Sequence, residues 1–307
     1  MVSDKTFGDR LFVMLNSLLM IFVVLIALYP LYYSIINSLN DGNNITNYGM
    51  VLLWPRMLTL ESWKTVLRDK AVINALQITA SRTIIVTAAS TVITSMFAYA
   101  LSRQYLRGRT FYVVLGFVSM YISGGIISSF LLISWLKLYN TYWVYIIPSL
   151  FGGFYNVIIY TSNFKGIPDA LFESAQIDGA SEYRIFFEIV FPLSKPVIAA
   201  LSIFTIVALW NDYSTTLYFT AGSSDLMTLQ YYILQIVRNR SAQISMRNAT
   251  AASNPEVFRL LMEREGPVSS KTLELAAMVI ASLPMVIMYP FAQRFFVKGV
   301  MIGSIKG

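Results

Sequence analysis

The chain has 307 residues, of which 56% are hydrophobic and 13% are charged, and its mean hydropathy is +0.60. A soluble domain carries about a quarter charged residues, so this composition excludes an ordinary water-soluble fold and indicates an integral membrane protein. Cysteine and histidine are absent, which excludes disulfides, Ser-His or Cys-His catalysis and most zinc or haem sites, and no metal site is expected. The net charge of +7 comes from scattered lysines and arginines, whereas nucleic acid binding needs clustered ones. We therefore expect no nucleic acid partner.

Six apolar blocks follow one another along the chain, and each is long enough to cross a hydrocarbon core as a helix of roughly 20 residues. They comprise residues 11–39, 72–101, 111–136, 142–162, 196–219 and 272–296. The first block is too long for a signal peptide and is interpreted as a retained span. The glycine pairs Gly124-Gly125 and Gly152-Gly153 lie inside two blocks, where we expect kinks or close helix contacts rather than breaks. The prediction is an all-α membrane protein with six transmembrane helices.

The orientation follows from the short connectors. Two long polar segments, residues 40–71 and 221–271, lie on one side of the predicted bundle, and the even number of spans places both termini on the other side. The connector 102–110 contains three arginines, whereas the opposite short connector contains one lysine, Lys137. Because short loops rich in Lys and Arg stay in the cytoplasm, we expect cytoplasmic termini and two extracytoplasmic loops.

The second long loop, residues 221–271, has mixed charge and is not a span. A helical stretch is expected over residues 226–237, and Asn254 with Pro255 is expected to open a second short helix. The loop is either an external cap that docks a partner or an ordinary structured loop, and the sequence leaves both alternatives open.

A polar hairpin is predicted between the fourth and fifth blocks, over residues 165–192. Pro168 suits the first position of a short helix that reaches Ile177, and Gly179 can end that helix in the left-handed conformation. Ser181 then caps a second helix, which runs to Ile189. We expect a helix, a tight turn and a helix at the membrane surface, before the next span begins.

The second helix of the hairpin carries three aromatic residues, Tyr183, Phe186 and Phe187. We expect these residues to form an exposed cluster, which a partner protein would cover. Pro192 and Pro196 are expected to start the fifth span.

Five hairpin residues occur at a fixed spacing. They are Glu173, Ala175, Gly179, Ile189 and Pro192. The pattern resembles the cytoplasmic EAA loop of ABC-importer permease subunits, which reads Glu, small, Ala, three residues, Gly, nine residues, Ile, any residue, apolar, Pro. Ser174 and Phe191 stand where Ala and Leu are usual, and both departures are mild. An amphipathic surface hairpin without a partner would not account for the spacing from Gly to Pro.

Two further segments resemble the carbohydrate-uptake branch of this family. The run Trp210-Asn211-Asp212 and the ending FFVKGVMIGSIKG are similar to the second permease of maltose-type importers. The long loop before the last span and the terminus 303–307 are similar to permeases for polysaccharide-derived sugars, including alginate importers. The resemblance covers nearly the whole chain. It implies one permease domain over residues 1–307, with the type I ABC importer permease fold, in the bacterial inner membrane.

The resemblance also implies the partners. They are a second homologous permease subunit, two copies of an ATPase subunit and an extracytoplasmic sugar-binding protein, with the chain itself embedded in lipid. The hairpin would dock in a cleft of the ATPase, whose closure would switch the spans between inward-open and outward-open. No G-x-x-x-x-G-K-[ST] motif occurs, so the chain is expected not to be an enzyme and to bind no cofactor. ATP and Mg²⁺ would bind to the ATPase subunit.

The residues that the resemblance assigns to ATPase coupling lie in the hairpin. They are Glu173, Ser174, Ala175, Asp178, Gly179, Ala180, Phe186, Phe187, Ile189 and Pro192. Glu173 would be the charged contact and Gly179 the turn that lets the hairpin enter the cleft. Ala175, Phe186 and Phe187 would form the packing surface.

Polar residues inside the spans are costly in lipid and face a cavity or another polar group. The candidates for a sugar path are Arg82, Asn156, Trp210, Asn211 and Asp212. An arginine near the path would suit an acidic cargo such as a uronate oligosaccharide. The alternatives are structural pairing, which we favour slightly for Asp212, and snorkelling of Arg82 to the interface.

Three other function classes fit the sequence less well. An ion-coupled secondary transporter needs ionisable residues at the midplane and internal repeats of broken helices, and neither is evident. An intramembrane enzyme needs a nucleophile with its base or metal ligands, which do not cluster here. A non-transporting membrane scaffold would make the EAA-like hairpin an accident. We therefore expect a permease subunit that forms half of the translocation pathway for a sugar oligomer.

Overall fold

The computed structural model describes residues 7–51, 53–122, 124–239, 245 and 268–303, and for residues 46, 47, 291, 292 and 294–303 it describes the backbone alone. Within these ranges the regular secondary structure is helical and no strand is present, apart from an isolated antiparallel bridge between Asn40 and Leu58. This confirms the predicted all-α class. The predicted helix opened by Asn254 and Pro255, and the terminal residues 304–307, lie outside the described residues.

Within the described ranges, fourteen α-helices are labelled α1 to α14, and three short 3₁₀ turns and one π-helical turn lie between them. The α-helices are α1 Phe7–Ser38, α2 Gly42–Tyr48, α3 Glu61–Arg68, α4 Lys70–Ser102, α5 Arg109–Tyr121, α6 Gly125–Trp135, α7 Phe154–Phe164, α8 Asp169–Ile177, α9 Glu182–Ile185, α10 Phe191–Leu193, α11 Lys195–Asn211, α12 Ser214–Phe219, α13 over residues 229–239, and α14 Ser270–Gly303. The 3₁₀ turns are Tyr142–Tyr145, Ile147–Ser149 and Ser224–Leu226, and the π-helical turn is Phe186–Val190.

Three helices are long and apolar enough to cross a membrane: α1, α4 and the Ser270–Pro290 part of α14. Three bent helix pairs pass the same test of length and composition when each pair is taken together. They are Arg109–Tyr121 with Gly125–Trp135, Tyr142–Ser149 with Phe154–Phe164, and Glu182–Leu193 with Lys195–Asn211, bent by 114°, 43° and 82°. By length and composition, the described residues therefore provide three candidate spans, or up to six if each bent pair is one span.

The glycine pairs break their helices, so the expectation of kinks or close contacts without a break is wrong at both, although Gly152 does contact α4, where its N–H donates to the Thr94 hydroxyl at 2.9 Å. Gly125 and Gly153 adopt φ of +73° and +81°. This left-handed conformation costs little only for glycine, and it cannot continue a right-handed helix. The predicted span 111–136 is consequently two helices, and the predicted span 142–162 is 3₁₀ turns followed by α7. Three prolines lie inside continuous helices, since α1 passes through Pro30 and α14 through Pro284 and Pro290, whereas Pro148 lies in a short 3₁₀ turn.

The chain divides into two compact units, Met1–Asp69 with Gln235–Ser282 and Lys70–Leu234 with Leu283–Gly307. In the first unit, the predicted outer segment 40–71 is ordered around α2 and α3. The Asn37 amide donates to the Val51 carbonyl at 2.8 Å and accepts from the Val51 N–H at 2.9 Å. Ser62 donates to the Thr272 hydroxyl at 2.8 Å, which ties α3 to the start of α14.

The second unit is built around α4, which packs against α7 and α11. Its core contains apolar side chains from all three helices and from the hairpin. Gly116 lets α5 approach α7, because a Cβ at this position would lie 2.0 Å from the Phe154 ring. The hairpin is therefore anchored in the same core as the apolar helices.

Candidate functional site

The turn of the hairpin is a Schellman motif, and it accounts for two positions of the EAA-like pattern, Ala175 and Gly179. The N–H of Ala180 donates to the Ala175 carbonyl at 2.9 Å, and the N–H of Gly179 donates to the Gln176 carbonyl at 3.0 Å. Gly179 adopts φ +75°, the left-handed conformation that this motif requires after the last helical residues. The motif also brings Ala175 and Ala180 together, so both positions favour a small apolar side chain. The predicted left-handed stop at Gly179 is confirmed.

Both helix starts of the hairpin are close to those predicted. Pro168 is the N-cap of α8 rather than its first residue, so that helix begins at Asp169. Ser181 caps α9, since its hydroxyl accepts from the Arg184 N–H at 3.4 Å. Asp178 follows α8 as its C-cap, and the Ser174 hydroxyl donates to the Ala170 carbonyl of its own helix at 2.8 Å.

The second half of the hairpin does not end at Ile189, as predicted, but continues to Leu193 through a π-helical turn. Within this turn the N–H of Phe191 donates to the Phe186 carbonyl, five residues earlier. Proline lacks an N–H and clashes with the preceding helical turn, and a widened turn relieves both problems. Pro192 therefore explains the π-helical turn, and the helix direction changes only at Ser194, before α11.

The root of the hairpin is fixed by apolar burial. Phe172 of α8, together with Ile185, Phe186 and Val190, lies in the core that α4, α7 and α11 form. Phe186 is 2% exposed and stands 5.5 Å from the Tyr99 ring. The prediction of an exposed aromatic cluster is thus wrong for Phe186, because the π-helical turn directs it inward. Ala175 and Ile189 are partly buried against the same core.

The tip of the hairpin presents an amphipathic surface. Glu173 and Ile177 are four residues apart on one face of α8, and both are exposed, Ile177 to 86%. Tyr183 and Phe187 are exposed on the other half of the hairpin. Sequence reasoning missed Ile177, although its i,i+4 spacing from Glu173 signals a shared face. An apolar side chain at a helix end, beside an exposed carboxylate, is suited to contact with another protein.

A polar clamp joins the hairpin to the end of α4. The Glu182 carboxylate accepts from the Tyr99 hydroxyl at 2.5 Å and from the Gln176 amide at 3.4 Å. Arg103 donates to the Tyr99 hydroxyl at 3.1 Å. Its guanidinium also lies 3.3 Å from the centre of the Phe172 ring, a cation–π contact. Movement of the hairpin is therefore linked to α4 by charge-assisted contacts as well as by burial.

The clamp changes the titration of its own groups. Burial acts to raise the pKa of the Glu182 carboxyl, but hydrogen bonds from Tyr99 and Tyr105 and the charge of Arg103 outweigh burial, and the pKa lies below its usual value. Burial and the bond to Glu182 raise the pKa of the Tyr105 phenol to about 12. Glu182 is consequently a carboxylate at neutral pH, as the clamp requires. Local spacing gives no signal for it, since Tyr99 lies 83 positions away.

Arg82 and Asp212 form a buried ion pair. Arg82 is 1% exposed, and its Nη2 donates to an Asp212 carboxylate oxygen at 2.9 Å and to the Leu209 carbonyl at 2.5 Å. Its guanidinium lies 5.0 Å from the centre of the Tyr145 ring. The structure therefore supports structural pairing for both charges, because Arg82 is buried against Asp212 and the Leu209 carbonyl.

The ion pair occupies the break between α11 and α12, where backbone groups lose their helical partners. Arg82 donates to the Leu209 carbonyl at the end of α11, whereas Asp212 accepts from the N–H groups of Ser214 and Thr215 at 2.9 and 3.2 Å. Free backbone groups are costly at membrane depth unless other groups bond them. The pair thus stabilises the interruption that divides the predicted span 196–219.

The other candidates for the sugar path have separate environments. The Asn156 amide donates to the Gly152 carbonyl at 2.8 Å, and the Asn211 amide donates to the Val207 carbonyl at 2.9 Å. Trp210 lines an apolar cavity of about 640 Å³. Among the described residues, the cavity lining includes none of the other four candidates. Hydroxyl side chains lie along its α4 and α11 walls: Thr83, Thr87, Thr91 and Ser202.

The chain matches known transport proteins. Residues 90–302 match the model of the family described as binding-protein-dependent transport system inner membrane component. The polygalacturonan/rhamnogalacturonan transport system permease protein YtcP of Bacillus subtilis (strain 168) is 33% identical over 299 residues, which are 97% of this chain and 99% of YtcP. Protein LplC of the same organism is 32% identical over 303 residues, covering 99% of this chain and 97% of LplC.

A solved structure has the same fold. A chain from the crystal structure of a bacterial ABC transporter involved in the import of the acidic polysaccharide alginate superposes with a TM-score of 0.81 at 25% identity, over 95% of this chain and 98% of that chain. The apolar helices, the EAA-like hairpin and these matches agree. The chain belongs to the family of inner-membrane components of binding-protein-dependent transport systems.

Proposed function

We propose that this permease forms half of the pathway through which an ABC importer moves an oligosaccharide derived from an acidic polysaccharide. Two similar proteins are named for such cargo, one for polygalacturonan and rhamnogalacturonan and one for alginate. The other half of the pathway is a second, homologous permease. Two ATPase copies lie on the cytoplasmic side, where both termini of this chain also lie, and a sugar-binding protein lies outside.

The hairpin tip is the contact with the ATPase. The single observation that carries this proposal is the contrast within one hairpin: Phe172 and Phe186 are buried in the core, whereas Ile177 is exposed beside Glu173. A rigid root transmits force, and an exposed amphipathic tip needs a partner. Closure of the ATPase dimer would move the tip, and the core and the Glu182 clamp would pass the movement to α4. Phe187 belongs to this surface, whereas Phe186 supports it from inside.

The cargo path excludes the Arg82–Asp212 pair and includes Trp210. An aromatic ring next to hydroxyl groups suits a sugar, whose rings have apolar faces and hydroxyl edges. Trp210 with the threonines of α4 provides this combination in the cavity of about 640 Å³. The acidic groups of the cargo would then be recognised elsewhere in the importer.

Ile177→Ser tests the docking surface. The residue is exposed, so folding should be unaffected, and we expect loss of co-purification with the ATPase together with loss of uptake. Leu53→Ser is the matched control, since Leu53 is an exposed apolar residue in the connector between α2 and α3, on the side proposed to face outward. The ATPase should still co-purify with this control. An Ile177→Ser importer that keeps its ATPase and its uptake would refute the proposal.

Cargo class is tested in reconstituted importers. Oligogalacturonate or oligomannuronate, with the binding protein present, should stimulate ATP hydrolysis, whereas neutral malto-oligosaccharides should not. Stimulation by the neutral sugars alone would overturn the assignment of an acidic cargo while leaving the importer function intact.

A further inference from the structure

Two grooves meet at Arg109 and Lys165, and their chemistry is different. The first groove, of about 620 Å³, is polar and lies between α8, the connector after α4 and the end of α7. The second, of about 240 Å³, is apolar and runs between α5 and α7 along Val113, Phe117 and Ile158. Arg109 and Lys165 line both grooves. The two grooves together form a surface that is polar at one end and apolar at the other.

The two cations at the junction have no anionic partner within the described part of the chain. No ion pair within 4.0 Å joins either of them to a carboxylate there. The Nε of Arg109 is buried and makes no hydrogen bond. Asp169 and Glu173 also line the polar groove, yet neither forms an ion pair with Arg109 or Lys165 within 4.0 Å. A buried donor without an acceptor is costly, so this junction favours an added anion.

We propose that these grooves bind one anionic phospholipid, with its phosphate at Arg109 and Lys165 and an acyl chain along the apolar groove. A basic pocket at the end of membrane helices is the arrangement that recognises anionic headgroups. The apolar groove distinguishes a lipid from a free phosphate compound, because a free phosphate would leave Val113, Phe117 and Ile158 uncovered. This site shares no residue with the cavity at Trp210, and its polar groove reaches the hairpin tip only at Glu173.

The lipid would stabilise the contact between α5 and α7 beside the hairpin. α5 begins at Arg109 and packs on α7 through Gly116 and Phe154, and Lys165 follows the last residue of α7. A headgroup that bonds both cations therefore joins the ends of two helices. It would also neutralise two like charges that otherwise lie on one groove.

The test measures phospholipid bound to the purified full chain by native mass spectrometry. Phosphatidylglycerol should bind more tightly than phosphatidylcholine with the same acyl chains. Each cation near an anionic lipid contributes a factor of about five, so Arg109→Gln/Lys165→Gln should lower phosphatidylglycerol affinity about 30-fold. Lys195→Gln, an exposed lysine at the start of α11, is the matched control and should have no effect. Equal affinity in the double variant and the parent would overturn the proposal.

Two further experiments distinguish a bound lipid from other occupants of the grooves. Ile158→Trp fills the apolar groove and leaves both cations, so it should weaken phosphatidylglycerol binding, and it keeps the test decisive if the double variant misfolds. Glycerol 3-phosphate should not displace the lipid. Displacement by glycerol 3-phosphate with no effect of Ile158→Trp would identify a free phosphate site. Loss of ATPase co-purification in the double variant, with lipid binding unchanged, would identify an acidic segment of the partner. Either result refutes the lipid site.

Discussion

The Arg82–Asp212 pair allows a quantitative test of how burial changes the contribution of an ion pair to the free energy of unfolding. Asp212→Asn removes the negative charge while the amide oxygen can still accept from Ser214 and Thr215. The variant leaves Arg82 charged, 1% exposed and opposite an amide donor. Removal of one partner from a buried pair costs about 3–5 kcal/mol. Asp212 is 22% exposed, so we expect about 3 kcal/mol.

A double-mutant cycle separates the pair from its surroundings. In Arg82→Met the Asp212 carboxylate keeps its bonds to Ser214 and Thr215, but the Leu209 carbonyl loses the hydrogen bond from Arg82. This variant should lower the free energy of unfolding by about 1–2 kcal/mol. Arg82→Met/Asp212→Asn leaves no buried charge, so it should cost little more than Arg82→Met alone. The expected coupling free energy is about 2–3 kcal/mol.

The surface pair Arg184–Glu188 is the matched control, because its N–O separation is the same 2.9 Å but its side chains are 63% and 61% exposed. Glu188→Gln should change the free energy of unfolding by less than about 0.5 kcal/mol. Unfolding in mixed micelles by sodium dodecyl sulfate, followed by circular dichroism, measures all four variants. An Asp212→Asn cost equal to that of Glu188→Gln would refute the role given to burial.

Three more predictions concern the hairpin. Because the chain has no cysteine, a single introduced cysteine reports the exposure of its position. Ile177→Cys should react rapidly with a maleimide in the isolated permease, and Phe186→Cys should be protected. Equal labelling of the two variants would contradict the buried root of the hairpin. Gly179→Asn should keep the fold and most of the transport, because asparagine tolerates the left-handed conformation. Gly179→Val should lose coupling to the ATPase, because valine in this conformation costs about 1–2 kcal/mol. Equal uptake by both variants would show that transport does not require a left-handed residue at this position. Glu182→Gln should reduce the stability of the hairpin at neutral pH. Folding lowers the pKa of the Glu182 carboxyl, so the stability that the carboxylate contributes is fully present above the ordinary carboxyl pKa and is lost as pH falls through the lowered pKa. The stabilities of parent and variant should therefore converge in acid. A difference in stability that persists in acid would argue against the clamp.

The sequence was sufficient for features that depend on local pattern. Apolar blocks of membrane length predict the helical class, because lipid offers no partner for free backbone groups. Gly179, directly after the helix predicted from Pro168 to Ile177, predicts the turn, because a Schellman motif is completed within six residues. The spacing of the five EAA-like residues from Glu173 to Pro192 indicates the transport family, which the comparisons confirm.

Tertiary structure alone decided which polar residues meet and which faces are covered. Arg82 and Asp212 are 130 positions apart, and Tyr99 and Glu182 are 83 positions apart, so no local period connects them. Burial of Phe186 depends on the π-helical turn before Pro192. The breaks at Gly125 and Gly153 depend on a positive φ, which glycine can adopt but does not have to adopt. Composition and spacing thus determined the class of molecule and the place of its hairpin, whereas packing determined which charges stabilise the fold and which surface remains for a partner.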